Sequence, residues 1–137
     1  MTEIKNEKFN ELKMLIVDDS NALGMIIKDI LVMLGFNIEN IEQVGDAYDA
    51  INILESQKFD LMSSNLWMPS SLNGLELLEK IRGHKNKDIK DLPFILITGE
   101  TNDKFVSQAL EKGANSYLTK PFNIEKFKDE LEKIFIS

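Results

Sequence analysis

The sequence predicts an α/β domain in which helices are wound onto both faces of a five-stranded parallel sheet. Three observations predict it. Apolar residues alternate between short solid runs, such as Met14-Leu15-Ile16-Val17 and Phe94-Ile95-Leu96-Ile97, and stretches at helical spacing. Solid runs are the mark of strands buried on both faces, which is the condition of a parallel sheet covered by crossover helices. Glycines stand where helices should end, at Gly35, Gly83 and Gly113, and polar residues cluster directly after the runs. Right-handed crossovers between such strands give a three-layer, doubly wound sandwich.

Taken in order, residues Met1 to Asn10 are polar and aperiodic and read as a leader, frayed or continuing into the first strand, with the folded domain at residues 11–137. Met14–Val17 is the first strand, ended by Asp18, Asp19 and Ser20. Ala22, Met25, Ile26, Ile30, Leu31 and Leu34 recur at helical spacing as the inward stripe of the first helix. Ile38 to Val44 makes a weaker second strand, and Asp46 caps a helix carrying Ala50, Ile51 and Leu54. Phe59 to Ser64 is the third strand. After Met68-Pro69, Asn73 and Glu76 form a capping box for a helix whose inward residues are Leu75, Leu78 and Ile81. Pro93 opens the fourth strand, which stops at Thr98-Gly99. A helix from about Asn102 to Lys112 leads to the fifth strand, Ser116-Tyr117-Leu118, and Ile124, Phe127, Leu131 and Ile134 mark the last helix.

Composition narrows the function. A chain of 137 residues, 43% apolar and 28% charged, suits one core. The absence of cysteine excludes disulfides and thiolate metal sites. A formal charge of -7 argues against a nucleic-acid surface, which needs clustered Lys and Arg. No run approaches the ~20 apolar residues of a membrane span, and no signal-peptide pattern is present, so a cytoplasmic protein is expected.

In an open sheet of this kind ligands bind beyond the carboxyl ends of the strands. Asp18 and Asp19 follow the first strand, Asn65 the third, Thr98 the fourth and Lys120 the fifth, so two carboxylates, an amide, a hydroxyl and an amine should converge on one rim. Paired carboxylates with a carbonyl and waters suit Mg²⁺. A lysine and a hydroxyl opposite the metal would clamp the oxygens of a phosphoryl group. The part that is missing is a nucleophile, because an asparagine amide has no free anionic oxygen.

These residues resemble the response-regulator receiver domains, most of all the single-domain chemotaxis regulators, over about Leu12 to Phe135. Ile16-Val17-Asp18-Asp19-Ser20 is similar to the family's acidic pocket, and Asn65-Leu66-Trp67-Met68-Pro69 to its phosphorylation loop, where an aspartate stands four residues before the proline. Lys120-Pro121-Phe122 resembles the lysine-proline motif. The resemblance implies a flavodoxin-like strand order 2-1-3-4-5, a cis Lys120-Pro121 bond, and Mg²⁺ held by Asp18, Asp19, position 65 and the Trp67 backbone carbonyl. It also implies a switch made by Thr98 and Tyr117, tuning of the phospho-state lifetime by Trp67 and Glu100, and a partner-binding face including Val106, Tyr117, Phe122 and Lys126. The expected partners are a histidine kinase or phosphotransfer protein and a downstream target, with the chain itself a monomer and not a conventional enzyme.

This chain departs from the family pattern in three places. Asn65 replaces the aspartate, the loop between Pro69 and Gly74 is one residue longer, and Asn21 to Ile27 lacks a basic pair typical of the chemotaxis regulator. Asn65 is either a replacement introduced into an otherwise complete pocket or the natural residue of a pseudo-receiver that acts as a phospho-independent adaptor. Weakened Mg²⁺ binding and an unphosphorylated ensemble follow from it in both cases. A Mg²⁺-dependent aspartyl phosphatase fits less well, because its acids are spaced Asp-x-Asp and a cap segment is absent. A nucleotide carrier fits least, for want of a Gly-, Ser- or Thr-rich phosphate loop after the first strand.

Overall fold

The computed structural model describes residues 7–68, 72–99 and 103–135. Strands β1 (Met14–Val17), β2 (Ile41–Val44), β3 (Leu61–Asn65), β4 (Phe94–Thr98) and β5 (Ser116–Thr119) pair in parallel in the order β2-β1-β3-β4-β5. Chain order and sheet order part company at β1, which lies between β2 and β3. That is the reversal point where a doubly wound sheet opens a crevice.

The helices are α1 (Asn21–Leu34), α2 (Ala47–Ser56), α3 (Gly74–Arg82), the one-turn α4 (Lys87–Lys90), α5 (Asp103–Glu111) and α6 (Ile124–Phe135). Alternation along each strand sends its side chains into two separate cores. Met14, Ile16, Leu61, Ile95, Ile97 and Leu118 pack with Ile27, Leu31 and Leu34 of α1 and with Phe127 and Leu131 of α6. Leu15, Val17, Met62, Phe94 and Leu96 pack on the opposite face with Leu54, Leu77, Leu78, Ile81 and Ala109. The expected capping box is present: Asn73 Oδ1 accepts from Glu76 N at 2.8 Å, and Glu76 Oε1 from Asn73 N at 2.9 Å.

Several boundaries differ from the sequence-based expectation. Ile38–Asn40 is a 3₁₀ turn capped by Asn37, and only Ile41–Val44 is strand. The third strand runs to Asn65, so the candidate site residue is itself the last strand residue. The second half of the leader is neither frayed nor extended. Glu7–Glu11 is a 3₁₀ helix that buries Phe9 completely, stacked on Phe36 at 5.3 Å and edge-on to Phe135 at 6.4 Å. Ala22, Met25 and Ile26, expected to face inward, are exposed. α1 is apolar nearly all round, and periodicity cannot say which side the sheet takes.

Candidate functional site

β1 ends at Val17, and the chain turns out through Asp18, whose backbone N–H donates to Val44 O at 3.0 Å and thereby extends the strand ladder by one residue. That bond holds Asp18 in the interior, only 2% exposed, while Asp19 turns out to solvent. The Asp18 Oδ1 accepts the Ser20 backbone N–H at 2.9 Å, and Ser20 in turn caps α1 by accepting from Leu23 N at 3.2 Å. Burial raises the Asp18 carboxyl above its usual pKa. The Ser20 N–H and the Lys120 charge oppose this rise, and the adjacent Asp19 adds to it.

Across the crevice, Asn65 joins two further elements. Lys120 Nζ donates to Asn65 Oδ1 at 3.0 Å, and Asn65 Nδ2 donates to the Trp67 carbonyl at 2.9 Å. The partners fix the amide's orientation, since an ammonium can only donate and a carbonyl can only accept. Lys120 therefore pairs with the Asn65 amide oxygen. Its position comes from the end of β5, where Lys120 N donates to Thr98 O at 2.8 Å; the Lys120-Pro121 bond is cis. Thr98 closes β4 opposite Thr119 and is 1% exposed.

Gly74 fixes the height of β3's end. Its N–H donates to Leu66 O at 2.7 Å, and a Cβ built there would sit 2.6 Å from the Asn65 carbonyl oxygen. Only glycine lets the start of α3 approach the site residue this closely. Sequence reasoning used Gly74 only as a loop boundary; a glycine directly after a capping Asn73 is the signal that could have found it.

The other expected site residues are more scattered. Trp67 is half-exposed and meets Phe105 of α5 edge-on at 6.2 Å, tying the loop after β3 to α5. Tyr117 packs towards the α2, α3 and α5 core and lines, with Lys126, a groove of about 660 Å³ between β5 and α6. Phe122 packs on the opposite side, edge-on to Phe127 at 5.8 Å, and Val106 lies on α5 away from that groove's lining. Glu100, Pro69 and most of the lengthened loop lie outside the described residues. His84, the single histidine of the chain, is partly covered and faces Glu55 at 2.8 Å.

Among the described residues no group of three or more carboxylate, imidazole or thiol side chains surrounds a common point. The rim offers instead two carboxylates and the Trp67 carbonyl, a set that fits Mg²⁺ completed by water. No described helix is long and apolar enough to cross a membrane.

Residues 14–132 match the response regulator receiver domain family. The chain is 36% identical over 124 residues to chemotaxis protein CheY-3 of Vibrio cholerae, covering 90% of this chain and 92% of that one. Among solved structures it is similar to the chemotaxis response regulator CheY4 of Vibrio cholerae, with a TM-score of 0.78 and 27% identity, covering 90% and 98% of the two chains. The receiver domain of a sensor histidine kinase from Pseudomonas aeruginosa, solved with a magnesium ion coordinated in its active-site cleft, shares the fold at a TM-score of 0.76 and 24% identity, covering 89% and 95%.

Proposed function

The chain belongs to the response regulator receiver domain family, and we propose that it serves a two-component phosphorelay with Asn65 in the phosphoacceptor position, which keeps the domain unphosphorylated. The observation that carries this reading is the Asn65 amide, which spans Lys120 Nζ and the Trp67 carbonyl. An aspartate in the same place would keep the lysine but set two acceptor oxygens against each other at Trp67, a contact that needs a cation between them. The amide N–H closes that contact by itself.

Phosphotransfer to such a site requires an anionic oxygen at position 65. That oxygen would form a bond to the phosphorus of a phosphohistidine as the P–N bond breaks. Lys120 and Thr98 are the donors suited to the phosphoryl oxygens. Asp18, Asp19 and the Trp67 carbonyl would hold Mg²⁺, which supplies charge neutralisation at those oxygens when bound. Thr98 and Tyr117 are the proposed switch, with Trp67 and Glu100 setting the lifetime of the phosphorylated state. Tyr117 and Lys126, which line one groove, with Val106 on α5 and Phe122 on the other side of the sheet, are the residues proposed to meet a downstream protein. A histidine kinase or phosphotransfer protein is the proposed donor.

Incubation of this chain and its Asn65→Asp variant with a small acyl-phosphate donor and Mg²⁺ tests the reading by intact mass. The variant should gain one phosphoryl group and the present chain none. Trp67 fluorescence should report Mg²⁺ binding tighter by about tenfold or more in the variant. A phosphoryl group on the present chain, or on neither, would defeat the proposal. The same self-closing amide also favours a phospho-independent adaptor. For that reading, partner capture must be as strong with this chain as with the phosphorylated variant.

A further inference from the structure

A groove of about 620 Å³ between α2 and the turn from α3 to α4 has an apolar floor and a cationic edge, and none of the residues around Asn65 lines it. Ile81 and Ile89, 1% and 5% exposed, form the floor, and Ile51, half-buried on α2, forms one side. Lys80 and Lys85 stand exposed on the edge. A cleft of roughly 300 to 1,000 Å³ with apolar walls and a few placed polar groups is the usual form of a small-molecule site.

The walls are fixed before anything binds. His84 Nδ1 accepts from Asn86 N at 3.0 Å, so Nε2 carries the ring proton and donates to Glu55 Oε2 at 2.8 Å. That bond ties α2 to the turn after α3. Arg82, two residues earlier, fastens the end of α3 to the Lys90 and Leu92 carbonyls at 2.8 and 2.7 Å. Glu55 and His84 thus satisfy each other. Among the described residues neither the Lys80 nor the Lys85 ammonium has an ion-pair or hydrogen-bond partner.

We propose that this groove binds a small organic monoanion, an apolar body carrying one carboxylate or sulfonate. Two lysines and one glutamate leave its edge with a single net positive charge, on a chain whose net charge is -7. With Glu55 occupied by His84, the two ammonium groups are what remains to meet an acid. The lysine stems extend the isoleucine walls and cover an apolar body. A sugar would lose hydration against those walls with nothing to replace it. A polyanion would turn its further charges towards Glu55.

Fluorescence titration of the intact chain with anilinonaphthalene sulfonate, a monoanion with an apolar ring body, tests the site, with half-saturation expected at about 100 µM in low salt. Amide shifts in NMR spectra of the same titration should be largest at Gly83, His84 and Lys85. Lys80→Gln combined with Lys85→Gln leaves Glu55 as the only charge on the edge and should weaken binding at least about fivefold. Glu55→Gln keeps an acceptor for His84 and should tighten it about threefold. Ile26→Ser, on the exposed apolar side of α1, should change nothing. Every side chain replaced is exposed, so circular dichroism should show one fold throughout. The absence of saturable binding up to about 1 mM overturns the proposal. So does binding that the double lysine exchange leaves intact, or that Ile26→Ser weakens in its place.

Discussion

At the amino ends of β4 and β5 the Arg82 guanidinium is gripped by backbone carbonyls, whereas at the carboxyl end of β1 the Asp18 carboxylate is buried with little to hold it. Arg82 donates through Nε and Nη2 to Gly113 O at 3.1 and 2.9 Å, through Nη1 to Lys90 O and Leu92 O at 2.8 and 2.7 Å, and through Nη2 to Asn115 Oδ1 at 2.9 Å. Asn115 Oδ1 also accepts from Phe94 N at 2.9 Å, so the guanidinium, the start of β4 and the approach to β5 form one network. Asp18 accepts the Ser20 N–H and feels Lys120 at a distance, and burial still raises its pKa. The difference teaches which end of the sheet is for holding and which is for binding. A charge whose hydrogen bonds are satisfied by fixed groups stabilises the fold. A buried acid left short of partners stores a demand for a cation.

The largest effect should come from breaking the held end. Arg82→Ala leaves the Gly113, Lys90 and Leu92 carbonyls without their side-chain donor and Asn115 Oδ1 with Phe94 N alone, and should cost about 3 kcal/mol in urea unfolding. Arg82→Lys should recover less than half, because one ammonium cannot reproduce the planar fork. A loss under about 1 kcal/mol for Arg82→Ala would show that water replaces the guanidinium freely and would dissolve the contrast between the two ends.

A smaller effect of opposite sign is expected at the binding end. Because the Asp18 pKa is raised in the fold, the protein binds this proton more tightly than the unfolded chain does. The stability it contributes is present below the unfolded pKa and is lost as pH rises through the raised value. Asp18→Asn should therefore raise the melting temperature at pH 7 without Mg²⁺, and the gain should shrink as pH falls towards the ordinary carboxylate range. The amide keeps an acceptor for Ser20 N–H, so the α1 start is preserved. A gain that is the same at pH 4 and pH 7 would trace to something other than the buried charge.

The fold was legible because its strands are solid and its helices end in glycine. Met14–Val17 and Phe94–Ile97 could be nothing but strands buried on both faces, and Gly35 and Gly113 do adopt the positive φ of helix ends, at 120° and 103°. The rim was legible because each polar residue closes its strand, as Asn65 and Thr98 do, or follows it directly, as Asp18 and Lys120 do. What the sequence hid has physical reasons. Phe9 is a lone aromatic in a polar stretch and has no period to reveal its burial. One turn of helix at Lys87–Lys90 is too short to show one either. The Arg82 network joins positions 31 apart in sequence, and the Asn65 amide's two bonds depend on a lysine 55 residues away. Periodicity said that α1 had an apolar face, and could not say that it had two.

The smallest predicted effect lies in the middle of β3, between the two ends. Ser63 is 1% exposed, sits between Ile16 and Ile95 in the sheet, and its hydroxyl has no hydrogen-bond partner. Its neighbour Ser64 at least donates to the Asn65 carbonyl at 3.0 Å. An unpaired buried hydroxyl costs the fold its desolvation, and removing it leaves a hole smaller than a methyl group. Ser63→Ala should thus stabilise the domain by up to about 1 kcal/mol, with no change in Mg²⁺ binding or in phosphoryl gain by the Asn65→Asp form. If Ser63→Ala instead weakened the domain by about 1 kcal/mol, the hydroxyl would have a partner after all, and polar dissatisfaction would be confined to the rim around Asp18. If it stabilised the fold and also altered Mg²⁺ binding, β3 would transmit strain from its centre to Asn65, and the binding end would begin two residues earlier than the rim.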